Sequence, residues 1–213
     1  NSKNVNFFIE VLNSIKTINK VIFRNSNLFY KDDKNDVVFL LKIKKLVFTQ
    51  DKKNPINTIK SNFEIFNIPI KLNIKKNIKN KKIISNLVSK KIRLNIENKF
   101  KYNQKDIIGL MDVLIINKKN SFNYNILSNS LNFSSINDNF KGSIDFKPFY
   151  FFSDFNFNQL NIKKVFNGNS VLWTLINSEI WKNQNLNANL NIRFNKVNNS
   201  QNLNNFILKI YLE

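Results

Sequence analysis

The acidic residues are the first place to look for chemistry in this chain, because it contains neither histidine nor cysteine. That removes imidazole acid–base catalysis, thiolate nucleophiles, disulfides and the usual zinc sites together. Asp32, Asp33 and Asp36 form the densest carboxylate cluster and could in principle supply oxygen ligands to calcium. They sit among Lys31, Lys34 and Asn35 without the glycine or the closing glutamate of a calcium loop, so the pattern favours a hairpin turn. Asp106 and Asp112 flank Gly109 in KDIIGLMDV, but the residues between them are strand-like. The two carboxylates are then a strand's length apart and do not form an acid–base pair. Gly142 and Gly168 are isolated, which leaves no glycine-rich loop to cradle a phosphate. Asn132-Phe133-Ser134 and Asn198-Asn199-Ser200 match the glycosylation acceptor pattern, yet about a fifth of the chain is asparagine and chance alone supplies such matches. No catalytic residue, metal ligand or cofactor is assigned, and the expectation is a protein that is not an enzyme.

Charge is the next signal. Thirty-four Lys and Arg against 14 Asp and Glu give a net charge of +20, the kind of balance that favours approach to phosphates. The composition weakens a nucleic-acid reading: Lys, Asn, Ile and Phe, the residues of A/T-rich codons, dominate, and arginine occurs only at Arg24, Arg93 and Arg193. Base readers favour arginine for its two-pronged hydrogen bonding. The Lys-rich stretch from Lys71 to Lys91 is the best candidate phosphate site, with a solvated edge or turn as the default reading. Aromatic residues mostly share a strand face with aliphatic ones, as Phe194 does with Ile192 and Leu190, so they read as a buried face and not as a base-stacking platform.

The elements that would position any site are strands. Period-two alternation puts Leu186, Ala188, Leu190, Ile192 and Phe194 on one face and Asn187, Asn189, Asn191 and Arg193 on the other. The same pattern runs through Ile92, Leu94, Ile96, Phe100 and Tyr102, with Asn98 interrupting it, and in shorter form through Phe122, Tyr124 and Ile126, through Leu131 and Phe133, and through Ile68, Ile70, Leu72 and Ile74. Turn-like clusters at 31–36, 50–54, 75–82, 103–105, 117–120 and 136–139 are short, which predicts antiparallel neighbours in a meander. One helix is expected over Ser170–Lys182, where Leu172, Leu175, Ile176 and Ile180 recur at three-to-four spacing behind Asn169 or Ser170 as N-cap, placing a lid or plug over one end of the sheet. Phe8–Asn19 is read as a strand in preference to a helix. In GSIDFKPFYFFSDFNFNQLNI the apolar parity changes from Ile144, Phe146, Tyr150 and Phe152 to Phe155 and Phe157. That predicts a bulge or turn near Ser153 and Asp154, with Pro148 at an edge or bend. No apolar run approaches the ~20 residues of a membrane-spanning helix. The chain opens on Asn1 and closes on the strand-like Phe206 to Leu212, and is read as one β-rich domain or segment, 1–213, of a longer polypeptide.

The order of these features resembles a known family. NSFNYNILSNSLNFSS, then NFKGSIDFKPFYFFSDFNFNQLNI, then the helix-like KKVFNGNSVLWTLINSEIWKN, then NLNANLNIRF and NNFILKIYLE resemble the repeat of the AsmA-like family, the AsmA, TamB and YhdP group within the repeating β-groove lipid-transfer superfamily. The resemblance spans about residues 28 to 213 and is clearest over 120–213. It implies a mainly β fold, a long curved antiparallel sheet forming an open trough whose apolar concave face receives phospholipid acyl chains. It also implies a periplasmic location with an inner-membrane anchor lying outside this piece, and no catalytic residues. The strong positive charge departs from the family's usual balance.

Three functions from different classes follow. The first is a non-enzymatic segment that holds or conducts acyl chains, for lipid transport between membranes or outer-membrane assembly. Its groove-lining side chains are expected to be Ile92, Leu94, Ile96, Phe122, Tyr124, Ile126, Leu131, Phe133, Ile144, Phe146, Leu186, Leu190, Ile192 and Phe194. Lys141, Lys147, Lys163 and Lys164 would stand near the rims. The alternative is an RNA-contacting ribosomal or organellar protein. A third is a structural adhesion or assembly module that binds a protein through an edge strand.

Overall fold

The fold follows from the alternation. A computed structural model describes residues 20–32, 34–51, 55–101, 107–115, 118–161, 174, 177–198 and 204–212. It consists of one 13-stranded sheet in which every strand lies beside its neighbours in sequence. The strands are β1 (Lys20–Lys31), β2 (Val37–Asp51), β3 (Ile56–Ile65), β4 (Ile68–Asn77), β5 (Lys82–Ser89), β6 (Leu94–Lys101), β7 (Ile107–Ile115), β8 (Lys118–Ile126), β9 (Ser130–Ser135), β10 (Phe140–Phe146), β11 (Phe149–Asn161), β12 (Asn187–Asn198) and β13 (Asn204–Leu212). The sheet is open, with β1 and β13 as its edges.

All neighbouring pairs are antiparallel except β11 and β12, which run parallel. A parallel pair needs a crossover of a dozen residues or more, and the segment between Asn161 and Asn187 supplies the length. Within it, Glu179–Lys182 form a short 3₁₀ helix, capped by the Ser178 hydroxyl, which accepts from the Ile180 N–H. The rest of the helix expected over Ser170–Lys182 lies outside the described residues apart from Thr174, Asn177 and Ser178. Phe8–Asn19, Tyr102, Asp106 and Gly168 also lie outside them.

Several turns have no glycine. Phe66 and Asn67, the two residues between β3 and β4, both take positive φ, at 49° and 60°, the geometry of a tight two-residue hairpin turn. Asn25, Asn35, Lys81, Arg93, Asp138 and Asn205 occupy the same region. Asparagine tolerates this conformation because its short polar side chain can bond locally, so here it does the work that glycine does elsewhere. The glycines serve another purpose. A Cβ on Gly109 would lie 2.2 Å from the ring of its cross-strand partner Tyr124, and one on Gly142 would lie 2.5 Å from the ring of its partner Phe133. Each glycine is the floor on which a neighbouring aromatic ring lies.

The expected parity change in 142–162 is located differently by the structure. The break is the turn at Lys147 and Pro148, which divides β10 from β11, and the β10–β11 ladder then runs unshifted from Phe149 to Phe155. There is no bulge at Ser153 and Asp154. Ile144, Phe146, Phe149, Phe151, Ser153, Phe155 and Phe157 share one face, whereas Tyr150 and Phe152 lie on the other. Residues around the turn count afresh once β11 begins, which is why one-strand parity misplaced Tyr150 and Phe152.

Candidate apolar groove

Register fixes which side chains share a surface. Gly142 faces Phe133 and Ser153, Ile144 faces Leu131 and Phe151, Phe155 faces Ile192, and Phe157 faces Phe194. Carried through the ladders, this face includes Leu94 and Ile96 of β6, Phe122, Tyr124 and Ile126 of β8, Leu131 and Phe133 of β9, Ile144 and Phe146 of β10, and Leu190, Ile192 and Phe194 of β12. Ile92 sits in the turn before β6 and is buried, and Leu186 immediately precedes β12. The opposite face carries most of the Asn residues, such as Asn73, Asn86, Asn123, Asn132 and Asn189, while Asn57, Lys76 and Asn98 fall on the apolar face.

The sheet curls towards its apolar side. Tyr30 of β1 stacks on Phe39 of β2 with centroids 4.7 Å apart, and both rings meet Phe149 edge-on at 6.1 and 6.3 Å. The Tyr30 hydroxyl donates to the carbonyl of Phe146. At ~4.8 Å per strand, β1 and β10 would be some 43 Å apart in a flat sheet. A twist of about 20–25° per strand accumulates to roughly half a turn over that distance, which brings the β10–β11 tip alongside the end of β1 that a flat sheet would point away from it. Since Tyr30, Phe39, Phe146 and Phe149 all lie on the apolar face, that face is concave.

The segment 177–186 closes the same end. Val38 is the extra residue of a bulge, since Tyr30 pairs with Phe39 and Lys31 with Val37. Asn183 donates through Nδ2 to the Val38 carbonyl, and Asn185 through Nδ2 to the Val37 carbonyl at 3.0 Å. Asn67 donates to Glu179, and Ile180 packs with Ile68, Ile70, Ile92, Leu94 and Ile115. Ile92 and Leu94 therefore belong to a plugged end, not to an open part of the groove.

Away from that plug the wall is only half covered. Ile96, Ile126, Leu131, Phe133, Ile144, Leu190, Ile192 and Phe194 all keep intermediate exposure, and Phe157, Phe206 and Leu208 are exposed. A chain of rings tiles this wall: Phe122 to Phe140 at 6.2 Å, Phe140 to Phe157 at 5.1 Å, Phe157 to Phe194 at 5.3 Å and Phe194 to Phe206 at 6.3 Å. Beyond the residues that the sequence predicts, Phe140, Phe151, Phe155, Phe157 and Phe206 also line the wall, as do Phe48, Ile59 and Phe63 in the first strands. Their signal was the same alternation, hidden in β11 by the misplaced break and in β2 by a register shift between Ile43 and Lys45.

Some polar groups on the wall are bonded, whereas the buried oxygens of Asn57 and Ser153 on the same face accept or donate no hydrogen bond among the described residues. The Tyr124 hydroxyl donates to Asn98 at 2.7 Å, and burial raises its pKa against the opposing pull of that bond. Ser89 donates to the Pro69 carbonyl at 2.8 Å. Asp112, on the convex face, accepts from Ser121 at 2.6 Å and pairs with Lys119 at 3.0 Å, which together lower its pKa. Asp32 accepts from the Asp36 N–H at 2.8 Å, as a turn residue does. Among the described residues no group of acidic side chains is arranged to hold a metal, and no helix is long and apolar enough to cross a membrane. Comparison with family models, with curated proteins and with solved structures finds no match to this chain.

Proposed function

We propose that this chain is a segment of a non-enzymatic, AsmA-like envelope protein that holds or conducts phospholipid acyl chains in its apolar trough. The observation that supports the reading is a concave face, mainly apolar from β1 to β13, on which Phe48, Phe122, Tyr124 and Ala188 are buried while Ile96, Ile126, Leu131, Phe133, Ile144, Leu190, Ile192 and Phe194 stay partly exposed beyond the end that the strap covers. A contiguous apolar surface of this extent is unusual on a monomer, and each large side chain gains about 1.5–3 kcal/mol on full burial. Acyl chains supply that burial without requiring any directed hydrogen bond. In this reading the protein stands in the periplasm, anchored to the inner membrane by a segment outside this chain, and contributes to lipid transport between membranes or to outer-membrane assembly.

The test is lipid extraction from the purified chain, followed by mass spectrometry, for the native sequence and for Leu190→Asp and Ile192→Asp. Both positions lie on the wall at intermediate exposure, so a carboxylate there can reach water while disrupting the apolar surface. Copurifying lipid should be present in the native chain and lost in both variants, with unchanged far-ultraviolet circular dichroism. Lipid retained undiminished in the variants overturns the proposal.

A further inference from the structure

The convex side carries a second surface that the groove does not use. At the end of the strands opposite the strap, the β4–β5 turn presents Lys79 and Lys81, followed by Lys82 at the start of β5. Lys82 pairs directly with Lys101 of β6. Like charges opposite one another in a ladder are destabilising, so this pair is a cost that the fold carries. Lys75 and Lys99 flank Ile84 from the strands on either side. These lysines are exposed, and the nearest described carboxylates on that face, Glu97 and Asp112, form the next cross-strand row inward. Asp112 is already engaged by Lys119 and Ser121.

Exposed aliphatic side chains stand among the charges. Ile108, 72% exposed, immediately precedes Gly109, whose partner is Phe100, the neighbour of Lys101, and Leu110, 44% exposed, pairs with Lys99. Ile78 in the turn and Ile84 on β5 are 44% and 38% exposed. None of the described residues in this patch is aromatic or arginine, so it offers neither base stacking nor forked recognition of phosphate. Ammonium groups at phosphate level with short aliphatic side chains between them suit a different partner, the interface of an anionic bilayer.

We infer that the β4–β7 end of the convex face docks the protein on an anionic membrane surface, with Lys79, Lys81, Lys82 and Lys101 meeting head groups and Ile84 and Ile108 entering the interface. The inference goes beyond acyl-chain binding in the groove and uses none of its residues.

It is tested by sedimentation with vesicles of phosphatidylcholine alone or mixed with phosphatidylglycerol. The native chain should bind the mixed vesicles and lose affinity as salt is raised. The fourfold Lys→Gln variant at 79, 81, 82 and 101 should lose about fivefold per lysine, several hundredfold in all. A control with Lys→Gln at 141, 182, 196 and 209, the same change in charge elsewhere, should lose far less. Ile84→Ser with Ile108→Ser should weaken binding with the salt slope unchanged. Equal losses in the two fourfold variants, absence of vesicle binding, or tighter binding of single-stranded RNA through the same lysines overturns the inference. Copurifying lipid reports on the groove separately: the lysine variants should retain it, and Leu190→Asp should retain vesicle binding.

Discussion

Tyr30 in β1 donates its hydroxyl proton to the backbone carbonyl of Phe146 at the tip of β10, although eight strands lie between them in the sheet. This contact, with the Tyr30–Phe39–Phe149 ring cluster, converts a long meander into a trough closed at one end.

The clasp should behave as a unit. Tyr30→Phe removes one hydrogen bond and should cost about 0.5–1.5 kcal/mol in urea unfolding, while keeping the ring stack. Tyr30→Ala and Phe149→Ala should each cost more, and the double variant should cost less than their sum, because either change already breaks the cluster. Additive losses would mean that the rings contribute independently.

The strap should be separable from the sheet. Replacing Asn183 by Ala removes its side-chain bond to β2, at an expected cost of about 1 kcal/mol. Limited proteolysis should then cut within 177–186 while the strands stay protected from hydrogen exchange. Loss of protection across β2 and β4 as well would show that strap and sheet unfold together.

The two glycines should resist even alanine. A Cβ on Gly142 would lie 2.3 Å from the backbone oxygen of Phe152, which cannot rotate away, whereas the atoms nearest a Cβ on Gly109 belong to the Tyr124 side chain. Both substitutions should lower the melting temperature by overpacking, worth about 1–3 kcal/mol, with Gly142→Ala the worse. Tyr124→Ala in the Gly109→Ala background should relieve the clash, so this second change should cost less there than in the native chain.

Asp112 should make stability depend on pH. Ser121 and Lys119 hold its carboxyl pKa below the usual value, so the folded state binds its proton less readily than the unfolded chain does. The contribution is complete above the unfolded pKa and is lost as pH falls through the folded one. Asp112→Asn should therefore be less stable at neutral pH, by about a few tenths of a kcal/mol as for other exposed ion pairs, and the difference should vanish in acid. A difference unchanged by acid would assign the effect to packing.

Strand faces were legible because alternation is a local property. Leu190, Ile192 and Phe194 had to share a side whatever their neighbours did, and the ladders with β11 and β13 place them together. Turns were legible where Asp and Asn clustered, as at 136–139, and were missed at Phe66 and Asn67, where an aromatic residue holds a position that usually calls for glycine. Pro148 marks a bend, as the proline predicts, but the break in parity falls there and not near Ser153 and Asp154, because counting the face straight through the turn reverses it for every residue of β11.

What the sequence determined by itself was a β-rich chain with one apolar and one Asn/Lys face, joined mostly by short antiparallel connections. Only the tertiary structure decided that β11 and β12 run parallel, that Tyr30 meets Phe146, and that residues 177–186 plug the end near Val38. These relationships arise from twist accumulated over many strands and from a long crossover. No window of neighbouring residues contains either.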